Sequence, residues 1–262
     1  MANPNYAPLK IGVFYDGNLF LHISNYYTYS HPQRSRIDIE GLHKYILNKV
    51  ADAERVEVED CIITETQYFR GRLSAYDATK RGNQLYNDRV FEDILMGSGV
   101  QTHYMPLREM NGKKEEKGIY VWLALSVYKQ CIQNNIDVAV MIVSDTEYLT
   151  LFRELKNLGV RVMLLSWDFK YMNDSGNIQV TRTSYELLNI AKYPVDMIKE
   201  IDNGLENNDK LIEGLFVVQE QEKDADLIEI HESGEGEILS IKNGCYGLSN
   251  IRTITCSFTL VP

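Results

Sequence analysis

Two short runs of this chain place acids where an apolar strand has just ended. In IGVFYDGNLF, residues 11–20, the segment Ile11, Gly12, Val13, Phe14, Tyr15 stops at Asp16-Gly17-Asn18. In VAVMIVSDTEYLTLF a second apolar run ends at Ser144, and Asp145, Thr146 and Glu147 open the next helix. A carboxylate at the end of a core strand is costly unless something pairs with it. Asp145 has a local explanation, because an acid at the start of a helix commonly caps it. Two acids at the same sheet edge point further, since adjacent carboxylates repel and raise each other's pKa until a cation neutralises them. Oxygen ligands with no Cys or His cluster select a hard divalent ion, Mg²⁺ or Mn²⁺. Asp16 and Asp145 are therefore the candidate metal ligands.

The elements that must position these acids alternate along the chain. Apolar runs predict strands near residues 10–16, 60–69, 100–106, 137–144 and 160–167, with helices at 38–53, 82–98, 118–134 and 146–158 between them. In the helix of 118–134, Val121, Leu125, Tyr128 and Ile132 fall at spacings that make one apolar stripe, the expected core face. The continuous run VAVMIV reads as a strand covered on both faces. Strands separated by helices imply parallel crossovers and an α/β, doubly wound sheet of about five strands. Ligands of such sheets sit beyond the carboxyl ends of the strands, where Asp16 lies. Residues 168–183 read as a loop with one short element, then a helix at 184–191 and a boundary at Pro194.

These residues resemble a known family. VFYDGN, EKGIYVWLAL and VSDTEYLTLFRELKNLGVRVMLL, in that order and spacing, are similar to NYN domains, a PIN-like family (LabA-like ribonuclease superfamily) assigned metal-dependent ribonuclease activity. The resemblance covers about residues 9–192, EDILMGSGVQTHYMPL included. It implies a PIN-like domain over 1–193 in which Asp16 is the acid after strand one. It matches Val143 to Tyr148 with the family's Ser-Gly-Asp-Ser-Asp-Phe signature. The implied chemistry is a cation bound by Asp16, Asp145 and Glu147, the implied catalytic residues, that activates water against an RNA phosphodiester. Asn18 either orients an acid or the scissile phosphate, or is a turn residue. Two departures stand out. Asn18 comes one residue earlier than in the family's Asp-Gly-x-Asn, and Tyr120 stands where an acid is expected. A phenol, with an ordinary pKa near 10, is a poor Mg²⁺ ligand. Glu116 is one helical turn earlier and shares that face, though as a pair Glu115 and Glu116 also read as solvated charges.

RNA contacts fall to Arg34 and Arg36 in HPQRSR, Arg70 and Arg72 in YFRGR, Lys80 and Arg81, and Lys113, Lys114 and Lys117. Gathered at one edge they would hold phosphates, with Thr146 beside the acids. Tyr26, Tyr27 and Tyr29 either stack on bases or belong to the core. His22, His31, His43 and His103 show no ligand spacing.

Composition bounds these readings. The chain has 262 residues, 44% of them apolar, and a net charge of −10, so nucleic acid can be held only by a local patch. The start lacks a signal-peptide pattern and no apolar run approaches a membrane span. Cys61, Cys131, Cys245 and Cys256 are scattered, which fits reduced thiols and a cytoplasmic address. Neither a monomer nor a homodimer is excluded. Residues 194–233 read as a helical and acidic linker. In 234–262, GEILSIKNGCYGL resembles the first hairpin of a cold-shock domain, with too few residues after Gly247 to close a barrel. With codons chosen for Leu248–Thr259, a single-base shift in the reading frame after Gly247 yields both aromatic patterns of that domain, which points to a frameshift truncation. Two alternatives accompany the nuclease: a non-catalytic RNA-binding regulator on the same fold, its chemistry lost through Tyr120, and a haloacid-dehalogenase-type phosphotransferase. The latter needs two acids flanking one residue after strand one, but Phe14 and Tyr15 precede Asp16.

Overall fold

The computed structural model describes residues 7–218 except 111–112, 173–175 and 177. Its centre is a six-stranded, all-parallel sheet in the order β10-β7-β6-β1-β2-β3. The strands are β1 (Leu9–Asp16), β2 (Cys61–Arg72), β3 (Gln101–Pro106), β6 (Val138–Ile142), β7 (Arg161–Ser166) and β10 (Tyr193–Asp196). Two small antiparallel hairpins interrupt the crossovers: β4 (Arg108–Met110) with β5 (Lys113–Glu115), and β8 (Phe169–Met172) with β9 (Ile178–Thr181). The helices are α1 (Gly17–Tyr29), α2 (Ile39–Glu54), α3 (Ala75–Thr79), α4 (Gln84–Gly97), α5 (Ile119–Gln133), α6 (Leu149–Asn157), α7 (Tyr185–Ile190), α8 (Met197–Glu206) and α9 (Lys210–Glu213).

Side chains of a strand alternate between faces, and here the alternation divides one apolar run between two cores. Ile11, Val13, Tyr15, Val138, Val140 and Ile142 join the core under α1, α2, α8 and α9. Phe14, Ala139, Met141 and Val143 join the second core, under α5, α6 and α7. Burial on both faces is why these strands lack polar positions. Residues 11–15 and 138–143, expected as parallel neighbours, pair over Ile11–Tyr15 and Val138–Ile142.

The structure corrects several expectations. The sheet has six strands rather than about five, because β10 pairs with β7 just where a boundary was expected. The first compact unit runs to Gln219, not 193: Met197, Ile201, Ile212, Leu215 and Phe216 are buried in the core. An aliphatic repeat among many acids and amides hid this amphipathic segment within an acidic composition. The core face of α5 is Ile119, Leu123, Val127 and Cys131. Val121, Leu125 and Ile132, expected inside, are 62%, 65% and 50% exposed. With both stripes apolar, periodicity had two solutions. The acidic run from 219, the cold-shock-like segment and the frameshift reading lie outside the described residues.

Candidate active site

The strand order reverses between β1 and β6, and crevices of open α/β sheets form at such a reversal. Asp16 ends β1 there, and Asp145 follows β6. Asp16 is 8% exposed and is the N-cap of α1. The backbone N–H groups of Asn18 and Leu19 donate to its Oδ1 at 3.1 and 3.2 Å. The Tyr148 hydroxyl donates to Oδ2 at 3.2 Å. Burial pushes the Asp16 carboxyl up to about 6, and the charge of Glu116 adds to the rise against these hydrogen bonds. Gly17 permits this geometry. A Cβ there would stand 2.5 Å from Tyr68 Cζ and 2.7 Å from the Phe69 carbonyl oxygen.

Asp145 caps the short 3₁₀ turn Thr146–Tyr148, accepting from Glu147 N–H at 2.9 Å and from the Thr146 hydroxyl at 3.3 Å. Asp145, Thr146 and Glu147 are exposed at the mouth, as is Asn18. Glu116 is not on a helix: α5 starts after Gly118, whose φ of 81° suits glycine. It is also not freely solvated. Its Oε1 accepts the Gly71 N–H at 2.7 Å, and a Cβ on Gly71 would lie 2.5 Å from Glu116 Cγ.

Tyr120 ties the acids together. Its hydroxyl is pushed up to about 12, by burial first and then by the charges of Asp16, Glu116, Glu147 and Asp145. Four carboxylates thus act on one phenol, whose ring meets the Tyr148 ring edge-on with centroids 5.9 Å apart. No group of three or more Asp, Glu, His or Cys among the described residues is arranged to hold a metal ion. The donor chemistry nonetheless fits Mg²⁺ or Mn²⁺. Mg²⁺ keeps several waters and takes one or two protein carboxylates plus substrate phosphates, and a buried acid already resisting ionisation lies beside a second acid. Sequence reasoning missed the Tyr148 role and underrated Glu116. A tyrosine where the family signature has phenylalanine was the available signal for the first.

The cations are less free than the sequence suggested. Arg72 is paired with Glu92 and stacks over Tyr104, and Lys114 is paired with Asp77. Lys80 lies over the Tyr76 ring at 3.9 Å, and Arg34 donates to the Tyr29 carbonyl. Arg70 faces Asp88 at 3.6 Å. Arg36 and Lys117 are exposed and enter no ion pair among the described residues. The tyrosines divide: Tyr27 is core, Tyr26 stacks on Phe169 at 4.3 Å, and Tyr29 is exposed. His43, on α2, and His103, on β3, have Nε2 buried and unpartnered. Cys61 and Cys131 are free thiols. No described helix is long and apolar enough to cross a membrane.

Comparison with known proteins gives one family. The family model described as NYN domain matches residues 10–195. No curated protein sequence matches the chain. Among solved structures, a protein of unknown function from Vibrio parahaemolyticus is 15% identical, with a TM-score of 0.45, covering 75% of this chain and 96% of its own. MurG of Acinetobacter baumannii is 8% identical, with a TM-score of 0.32, covering 71% of this chain and 41% of its own. Likenesses this faint say nothing of chemistry.

Proposed function

We propose that this chain, which belongs to the NYN domain family, hydrolyses RNA phosphodiesters with a divalent cation held at the end of β1. The family acts on nucleic acid and its fold is ribonuclease-like, which is the frame for the reading. The observation that carries it is Asp16: a buried carboxyl at the sheet's reversal, pushed up to about 6, with Glu116 beside it and no cationic side chain among its described partners. A divalent ion there supplies Lewis-acid stabilisation of a phosphoryl oxygen and a more acidic water. Asp16 and Glu116 would hold it, with Asp145 and Glu147 as outer acids at the mouth. Tyr148 fixes the second oxygen of Asp16 and so orients the carboxylate. Asn18 and Thr146 flank the acids, and Arg34, Arg36, Arg70 and Lys117 are assigned to the RNA backbone.

One observation favours a second reading, a non-catalytic RNA-binding regulator. Tyr120 occupies the position of an expected acid, and no three-acid cluster is assembled among the described residues. Labelled RNA incubated with Mg²⁺ or Mn²⁺, with and without EDTA, separates the two. Cleavage that EDTA abolishes and that Asp145→Asn or Asp16→Asn reduces by at least tenfold supports catalysis. Binding with no cleavage supports the regulator, and Tyr120→Asp should then restore metal-dependent cutting.

A further inference from the structure

On the α1 side of the sheet lies a cavity of about 480 Å³ between α1, α4 and the entry to α2. Its size is that of small-molecule sites, and it is too small for a helix or a folded partner. Half-buried Phe91 lines it, its ring nearly parallel to that of buried Phe20 behind it, with centroids 6.3 Å apart. Exposed Tyr29 also borders the cavity, along with the amides of Asn25, Gln84 and Asn87. Each amide offers both a donor and an acceptor. Gln84 gives one N–H to Asp88 at 2.8 Å and keeps its carbonyl for other donors.

The charges in this wall are unequally engaged. Asp88 is occupied by Arg70 and Gln84, and Asp38 by capping α2 through the Gly41 N–H at 2.7 Å. Arg36 is exposed at the cavity and enters no ion pair among the described residues, so its guanidinium is open to a phosphate, although two arginines and two aspartates leave the wall with no net formal charge. The cavity is linked to the proposed reaction site through β2. Arg70 follows Phe69, which pairs in register with Asp16, and the next residue, Gly71, is the one that holds Glu116.

We infer that this cavity is a nucleobase subsite: one base of the RNA strand inserts against Phe91 and Tyr29, the amides face its edge, and Arg36 takes a phosphate of the strand leading to Asp16. The inference rests on the RNA reading above and adds a position-specific base contact to it. Stacking supplies affinity for any base, while amide contacts choose among them. The subsite thereby makes binding depend on one nucleotide at a fixed distance from the acids.

The test is an abasic walk. A short labelled oligoribonucleotide, with one abasic position moved along it, is titrated by fluorescence anisotropy into the full chain carrying Asp16→Asn, which keeps the strand intact. The expected result is one position at which losing the base weakens binding about tenfold. Ser24→Trp, which fills the cavity, should abolish that positional difference. Asn87→Ala removes an exposed amide without touching the core. It should change which base binds best at the same position, and it serves if the tryptophan variant fails to fold. Shallow, equal losses at every position, or a positional loss that survives Ser24→Trp, overturn the subsite and leave the RNA reading standing. If intact strands do not bind at all, both readings fall.

Discussion

At the scale of single residues, Asp16 carries two duties that conflict when no cation is bound. As an N-cap it accepts two backbone N–H groups, which favour its ionised form; as a buried acid beside Glu116 it resists ionisation, and burial prevails. The sign comes from proton binding. With a folded pKa of about 6 against 3.8 unfolded, the folded state binds more protons between those values, so this group's contribution falls as pH rises through that window. Asp16→Asn should therefore stabilise the metal-free protein near neutral pH, by on the order of 1–3 kcal/mol, and gain little below about pH 4. Saturating Mg²⁺ should shrink the difference. Thermal melts of both proteins in EDTA and in Mg²⁺, across that pH range, check all three outcomes. Asp16 was legible in the sequence because an apolar run ended in an acid. The role of Tyr148 was not, because a hydroxyl aimed at a residue 132 positions away leaves no local pattern.

At the scale of elements, α5 shows how a helix with two apolar stripes is oriented by its surroundings. Burial of Ile119, Leu123, Val127 and Cys131 leaves Val121 and Leu125 in solvent only two positions from core residues. Leu123→Ala should cost about 2–5 kcal/mol, whereas Leu125→Ala should change stability by less than about 0.5 kcal/mol. Denaturant unfolding of the pair reads this directly, and equal effects would mean the helix is rotated. Strands were legible where two-sided burial makes the sequence uniformly apolar. The helix face was not, since the amphipathic signal fixes a face only when the other face is polar. The hairpins β4–β5 and β8–β9 were equally hidden, being too short to show a period.

At the scale of the whole molecule, the segment after 193 belongs to the body of the fold. β10 covers the edge of β7, and the end of the segment returns to α2: Asp38 N–H donates to the Leu215 carbonyl and Val217 N–H to the Arg36 carbonyl, at 2.8 and 3.0 Å. Gly41 lets the two approach, since a Cβ there would lie 1.8 Å from the Gly214 carbonyl oxygen. A chain stopped at 193 should lose cooperative unfolding and aggregate, because a sheet edge and the core face under Met197 and Ile201 would be bared. A chain stopped at 218 should melt as one transition. Calorimetry of the two truncations decides it. Parallel pairing was legible from alternation, whereas the strand order and the far edge were not, because alternation carries no order and the edge strand contains Pro194 and looked like a boundary.

The hydrogen bond from the Gly71 N–H to Glu116 has a consequence for observation. If Glu116 turns toward an incoming ion, that amide loses its acceptor, so one backbone proton becomes a reporter of loading. Exchange with deuterated solvent at Gly71 should quicken as Mg²⁺ is added, while the amides of Asn18 and Leu19, anchored on Asp16, should not. The protein would then signal its own occupancy without any substrate being turned over.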